Sequence, residues 1–342
     1  MISRSRVLAA TLLTAVLVTA SACSSSDKDT TTDQAGANGS EVKKVTYVTG
    51  FGAVGRDAFA WVAKEKGYFK EVGLDVDIQK GAGNTQNLTL LQTGKADFAA
   101  MDFSGATVLA GQGKFTNWRA IAAIHQQTLV SIMTTKDTGI TKPSDLVGKT
   151  VATATGSVSQ LLFPAYAKLA GVDPNKVTIK GVQTTALNGL MTQRTVDALS
   201  TFLLSAGALK AASKKDVVVM PYSDYLGDLF GNVITARQDL IASDRDEVKK
   251  FLSAILKGLQ YTLDHPDEAA AILNKAEPTS KVQAAVGEIN AMKPYTAPPN
   301  GAPLGYIDHD RVVRSIAILQ GNGLMPSLTP DKIADFSFIT AS

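Results

Sequence analysis

The residues most able to do chemistry stand in the first third of the chain. Gly50-Phe51-Gly52-Ala53-Val54-Gly55 has the G-x-G-x-x-G spacing that lets backbone amides approach a phosphate at a helix start, and Asp75 follows twenty residues beyond Gly55. In a dinucleotide-binding loop, an acid at the carboxyl end of the next strand holds the ribose. Here Gln79 and Lys80 occupy that end, while Asp75 and Asp77 fall mid-strand on its polar face. Two readings stand: an exported oxidoreductase, or a binder whose glycines let the backbone approach some other ligand.

Three histidines, His125, His265 and His309, are scattered without HExxH or paired spacing, and the single cysteine is Cys23. No zinc site, thiolate cluster or internal disulfide follows from them. Asp102 with His125 is the one acid–base pair worth naming, and no Ser-His-Asp or Cys-His relation accompanies it. We expect no catalytic residue, no cofactor and no metal.

The elements that must position these residues alternate between strand and helix. Residues 42–49 alternate as a strand and 57–70 have helical spacing, with Gly73 as a left-handed stop. Leu74, Val76 and Ile78 alternate with Asp75 and Asp77 in a second strand. A helix over 85–94, a strand over 96–101 and a helix over 105–111 continue the rhythm. A long extended run over 118–134 is interrupted by His125-Gln126-Gln127, and strands near 150–154, 177–180, 196–201 and 217–220 follow. Pro164 is expected to limit the start of the helix after 154. Beyond residue 242 the pattern is wholly helical: Ser243 and Asp246 suggest a capping box, and Val248, Phe251, Leu252, Ile255, Leu256 and Leu259 make one apolar stripe. Such alternation predicts an α/β protein with mainly parallel sheets. The eight residues from Leu90 to Asp97 are echoed one hundred residues on, from Leu190 to Asp197, as two lobes of one plan would be.

The 342 residues are 45% apolar and 19% charged, an ordinary globular balance with length for two domains. The formal charge of +3 falls to +1 without Arg4 and Arg6, so no nucleic-acid partner is expected. Those arginines precede a short apolar run over 7–20, the form of a secretory signal. Ala20-Ser21-Ala22-Cys23 resembles a bacterial lipobox, with Ala20 where leucine is usual; it implies lipidation of Cys23 and a membrane anchor. Residues 24–40, without a large apolar side chain, read as a flexible tether.

Four further motifs resemble one family. The stretch from Glu65 through Gly67-Tyr68-Phe69-Lys70-Glu71 to Val76 is similar to the GYF-K-E-x-GL-x-V segment of ABC-importer solute-binding proteins, in the branch for nitrate, sulfonates, taurine and thiamine-pyrimidine precursors. Gly94-Lys95-Ala96-Asp97-Phe98-Ala99, the segment from Lys142-Pro143 to Gly148-Lys149, and Phe251 through His265-Pro266-Asp267-Glu268 follow in the family's order. The resemblance implies a two-lobed periplasmic-binding-protein type II fold with a cleft between the lobes. Lobe 1 would hold 41–127 plus 236–342 and lobe 2 128–235, behind a signal peptide (1–22) and a tether (23–40). It implies a monomeric receptor at the extracytoplasmic face of the membrane, whose partners are a small-molecule solute and the permease subunits of an importer.

Parallel sheets bind ligands beyond their strands' carboxyl ends. In lobe 1 those ends offer Phe51, Arg56, Asn84, Thr85, Asp102, Phe103 and Ser104, with His125 and Gln126 at the crossing. In lobe 2 they offer Thr155, Ser157, Ser159, Gln183, Thr184, Phe202 and Tyr222. An anion would use hydroxyls, helix starts and Arg56; a planar heterocycle would use the aromatic rings, with Asp102 accepting from an amino group. The aromatic residues favour the ring, either a planar heterocycle such as a thiamine-pyrimidine precursor or an aromatic carboxylate, and small anions such as nitrate, sulfonate or taurine are the alternative.

Overall fold

The computed structural model describes residues 42–340. The signal peptide, the tether and Cys23 lie outside the described residues. Among those described, two five-stranded sheets form. The first holds β1 (Lys43–Val48), β2 (Leu74–Gln79), β3 (Phe98–Asp102), β4 (Arg119–Ala123) and, from far along the chain, β10 (Asn232–Ala236). The second holds β5 (Val130–Thr135), β6 (Thr150–Ala154), β7 (Thr178–Val182), β8 (Ala198–Phe202) and β9 (Val217–Pro221). Their orders are β2-β1-β3-β10-β4 and β7-β6-β8-β5-β9. In each sheet the strand in fourth place runs against the others, so both sheets are mixed and mainly parallel.

Residues 232–235 are a correction to the expected lobe boundary. They pair with β3, Asn232 facing Asp102, so the chain has crossed back to the first sheet before Asn232. The apolar run of Val233 and Ile234 carries no local mark of which sheet it joins. Burial follows position: edge strand β2 alternates, with Leu74 and Val76 buried and Asp75 and Asp77 exposed, whereas central β3 is buried throughout.

Three helical expectations shift. Gly67, at φ +80°, splits the helix predicted over 57–70 into Ala58–Glu65 and Tyr68–Glu71. Pro164 lies inside the helix Val158–Leu169 rather than at its start; Ser157 makes the cap. Asp244, not Ser243, caps the long helix Arg245–Asp264, its carboxylate accepting from Glu247 N at 3.0 Å. The predicted stripe of that helix is core: Phe251 packs with Tyr47, Phe69 and Phe98 at ring-centre distances of 5.7, 5.6 and 3.7 Å. Burying each such ring contributes about 2–3 kcal/mol. Among the described residues no helix is long and apolar enough to cross a membrane.

Candidate functional site

The loop after β1 turns inward on itself. Gly50 N donates to Asp57 Oδ1 at 3.0 Å, Arg56 Nε donates to Asp57 Oδ2 at 3.3 Å, and Gly55 N donates to Glu288 Oε2 at 2.6 Å, Glu288 arriving on the helix Val282–Met292. Burial raises the Asp57 and Glu288 carboxyls; Arg56 and the loop amides pull both back down. A Cβ on Gly50 would lie 2.7 Å from Asn232 Nδ2, and one on Gly55 2.3 Å from the Ala285 carbonyl oxygen. These glycines therefore serve close protein–protein approach. The amides that a pyrophosphate would need are occupied by the chain's own carboxylates, which overturns the dinucleotide reading of this loop.

At the end of β3, Asp102 caps the helix Phe103–Gly111, Oδ1 accepting from Gly105 N at 2.9 Å. Asn84, at the start of the preceding helix Asn84–Gln92, grips its backbone, Nδ2 donating to Asp102 O at 2.9 Å and Oδ1 accepting from Asp102 N at 3.0 Å. The other oxygen, Asp102 Oδ2, is buried and has no hydrogen-bond partner among the described residues, as is true of the hydroxyls of Ser104 and Thr107. Burial pushes Asp102 up to about 7 against the lowering pull of the Gly105 amide and Arg56. His125, fully buried, accepts from Asn232 N through Nδ1 at 3.2 Å. That bond places the ring proton on Nε2, which has no partner among the described residues. Burial, then Arg56, holds His125 well below its usual value, so the ring is neutral. One acceptor, at the end of β3, and one donor, just past β4, thus wait unpaired on either side of β10, and each such group left unmet costs about 1–3 kcal/mol.

The second lobe's edge is satisfied internally. Ser157 Oγ donates to Ala154 O at 2.6 Å and lies 2.8 Å from Ser159 Oγ, which lies 2.9 Å from Thr153 Oγ1. Ser200 Oγ reaches Ser159 O at 3.1 Å and Tyr222 OH at 2.8 Å. The edges of the two lobes meet where Arg56 sets its guanidinium 5.8 Å from the ring centre of Phe202.

Residues 57–269 match the family model described as NMT1/THI5 like. The chain belongs to the NMT1/THI5-like family. It is 25% identical over 216 residues to the formylaminopyrimidine-binding protein of Halalkalibacterium halodurans, covering 63% of this chain and 65% of that protein's length. It is 25% identical over 213 residues to the riboflavin-binding protein RibY of Chloroflexus aurantiacus, covering 61% and 59%. Other similar proteins bear binding-protein names, and one, from Aspergillus parasiticus, is named a 4-amino-5-hydroxymethyl-2-methylpyrimidine phosphate synthase. In structure it is similar to the periplasmic aliphatic sulphonate binding protein SsuA of Escherichia coli, with a TM-score of 0.70 and 15% identity over 88% of this chain and 94% of that one. The fold is that of periplasmic binding proteins.

This NMT1/THI5-like chain brings Arg56, Asp102, Ser104, His125 and Phe202 to the meeting edges, and sets Ser157 and Ser159 on the far side. Four other candidates are turned to different work. Phe103 packs edge-on against Phe230 at 5.8 Å, and Tyr222 stacks on Tyr166 at 4.1 Å, both in the core. Asn84 spends its amide on Asp102. Gln126 donates from Nε2 to Tyr306 O at 2.9 Å and receives Arg311. Thr85, Thr155, Gln183 and Thr184 are exposed, and Phe51, 51% exposed, stands at the rim beside Ala82. Sequence reasoning missed Asp57, Asn232, Glu288 and Arg311. Arg311, on the helix His309–Gly321, holds both crossings, donating from Nε to Asp228 O at 3.2 Å, from Nη2 to Gly227 O at 2.8 Å, and to Gln126 O. A cavity of about 520 Å³ lies beside this clasp, lined by Gln126, Gln127, Tyr295, Asp308, Arg311 and Arg314 among others; no strand-end residue of the meeting edges borders it.

Proposed function

We propose that this chain is the extracytoplasmic solute-binding receptor of an ABC importer, held to the membrane through a lipid on Cys23 and acting as a monomer. Its lobes, residues 42–127 with 232–340 and residues 128–231, close on a planar nitrogen heterocycle bearing an amino group and deliver it to the permease. Closure is a population shift in which the ligand binds the closed form better. The observation that carries this reading is the unpaired pair: Asp102 Oδ2 accepts an amino N–H, and His125 Nε2–H donates to a ring nitrogen. Phe202 and Arg56 supply a face for the ring. Relatives named for pyrimidine and flavin binding support the same class. In this reading the chain binds and releases its solute without a chemical step.

Small anions fit poorly. Arg56 is the cation that faces Asp57, Asp102 and Glu288, so an anion entering here would meet more buried carboxylate than guanidinium.

Thermal melting of the full chain against aminopyrimidines, flavins, sulfonates and nitrate tests the reading. A ligand at a hundred times its Kd adds about 2.7 kcal/mol, a rise of about 4 °C. A shift with the heterocycles alone is the expected outcome; a shift with nitrate or sulfonate alone reverses the ligand class. Cys23→Ser is expected to release the protein from the membrane fraction, and unchanged fractionation would remove the anchor.

A further inference from the structure

We propose that Glu288 is a specificity-determining residue: it excludes anionic solutes by standing where an anion would bind. This rests on the reading that the edge around Arg56 and Asp102 is the ligand site. A backbone amide at a helix start beside a guanidinium is a ready place for an anion. Here that place is filled from within, Glu288 Oε2 accepting from Gly55 N at 2.6 Å.

The carboxylate is held there by construction. Its helix, Val282–Met292, lies so close that a Cβ on Gly55 would fall 2.3 Å from Ala285 O and 2.6 Å from Ala285 Cα. Ser280, just ahead of that helix, donates its hydroxyl to Ala53 O in the same loop. Helix and loop are therefore held together at two further points, both on the N-terminal side of Glu288. Glu288 also shares Arg56 with Asp57, whose Oδ2 accepts from Arg56 Nε at 3.3 Å. An arriving sulfonate or nitrate would find the amide taken and the guanidinium already neutralised, with two carboxylates repelling it. A ligand that presents N–H groups meets no such barrier.

The test uses full-length wild type, Glu288→Gln and Glu288→Ala, melted with 4-aminopyrimidine, ethanesulfonate, formate or formamide. Glutamine keeps an acceptor for Gly55 N and loses the charge. Glu288→Gln is expected to bind ethanesulfonate at least about tenfold more tightly than wild type does. Glu288→Ala leaves the amide open, and formate, a detached carboxylate, is expected to raise its melting temperature while formamide does not. Formate is expected to leave wild type unmoved. The assignment is overturned if Glu288→Gln melts cooperatively yet answers ethanesulfonate no better than wild type. It is equally overturned if formate fails to stabilise Glu288→Ala, a readout that survives even when Glu288→Gln folds poorly. If wild type ignores 4-aminopyrimidine while the variants gain anion binding, the ring reading falls and the role of Glu288 stands.

Discussion

In the first lobe Asp97 closes the turn before β3: its Oδ2 accepts from Thr46 N at 2.8 Å and its own N–H donates to Thr46 O at 3.0 Å. In the second, Asp197 closes the turn before β8 in the same way, with Thr150 N at 2.8 Å and Thr150 O at 2.9 Å. The echo between Leu90–Asp97 and Leu190–Asp197 is thus one helix–turn–strand unit built twice, inside two sheets of matching order. What differs is the edge each sheet presents. The first buries charge, Arg56, Asp57 and Asp102, with the half-buried Glu288 against them and a neutral histidine beside them. The second buries neutral hydroxyls, with Thr153, Ser159, Ser200 and Tyr222 joined by hydrogen bonds. A shared backbone plan therefore fixes where a ligand sits, and the side chains at the first lobe's edge decide what it is.

The contrast breaks most visibly at Arg56. Arg56→Ala leaves Asp57, Asp102 and Glu288 without their cation, and loss of one partner from a buried ionic set costs about 3–5 kcal/mol. Ser159→Ala in the second lobe removes one hydroxyl from a chain whose other members keep partners, at a cost of about 1 kcal/mol. Urea unfolding midpoints measure both. Equal losses would mean that the two edges are not held by different physics.

Asp102 sharpens the comparison through pH. Its folded-state value of about 7 lies above the ordinary carboxylate value near 3.9. Below about pH 4 both states are protonated and nothing is lost. Between about 4 and 7 the folded state keeps a proton the unfolded chain has released, so stability falls as pH rises; above 7 the whole loss is present. Asp102→Asn keeps a side-chain oxygen for the Gly105 cap and removes this slope. Its stability relative to wild type is expected to rise through that window and then level off. His125, held low by burial, acts oppositely, losing stability as pH falls, and cancels in the difference. The same variant is expected to weaken binding of an amino heterocycle by about tenfold or more, since an amide cannot match a carboxylate as acceptor. Unaltered binding would remove Asp102 from the site.

Much of this was legible in the chain. The period-two run of β2, the glycine stops and the strand-end positions of Arg56, Asp102 and His125 follow from local pattern, because hydrogen-bonding and burial rules act over a few residues. Glu288 was not, since its partner Gly55 lies 233 residues away and a glutamate inside a helix looks like any solvated one. Asn232 escaped for a related reason: its strand returns to the first sheet after a whole lobe, and no local residue records that return. Phe103 and Tyr222 misled because a ring at a strand end serves a core as readily as a cleft; only the neighbours Phe230 and Tyr166 decide it.

The smallest expected effect tests whether the two turns are one unit. Gly94 and Arg194 stand at equivalent places and share the left-handed conformation, at φ +68° and +56°. Space does not require the glycine, for a Cβ at 94 would meet its nearest neighbour, Arg237, at an ordinary 3.7 Å. The conformation does: Gly94→Ala is expected to cost about 1 kcal/mol. Arg194 already bears that strain and recovers part of it by pairing with Asp137. Arg194→Gly relieves the strain, loses the exposed pair and adds backbone freedom to the unfolded chain, so its net change is expected within about 0.5 kcal/mol. Unfolding midpoints for the two variants decide the matter. A silent Gly94→Ala beside a costly Arg194→Gly would mean that the pairing with Asp137, and not a common left-handed turn, shapes the second lobe at this point.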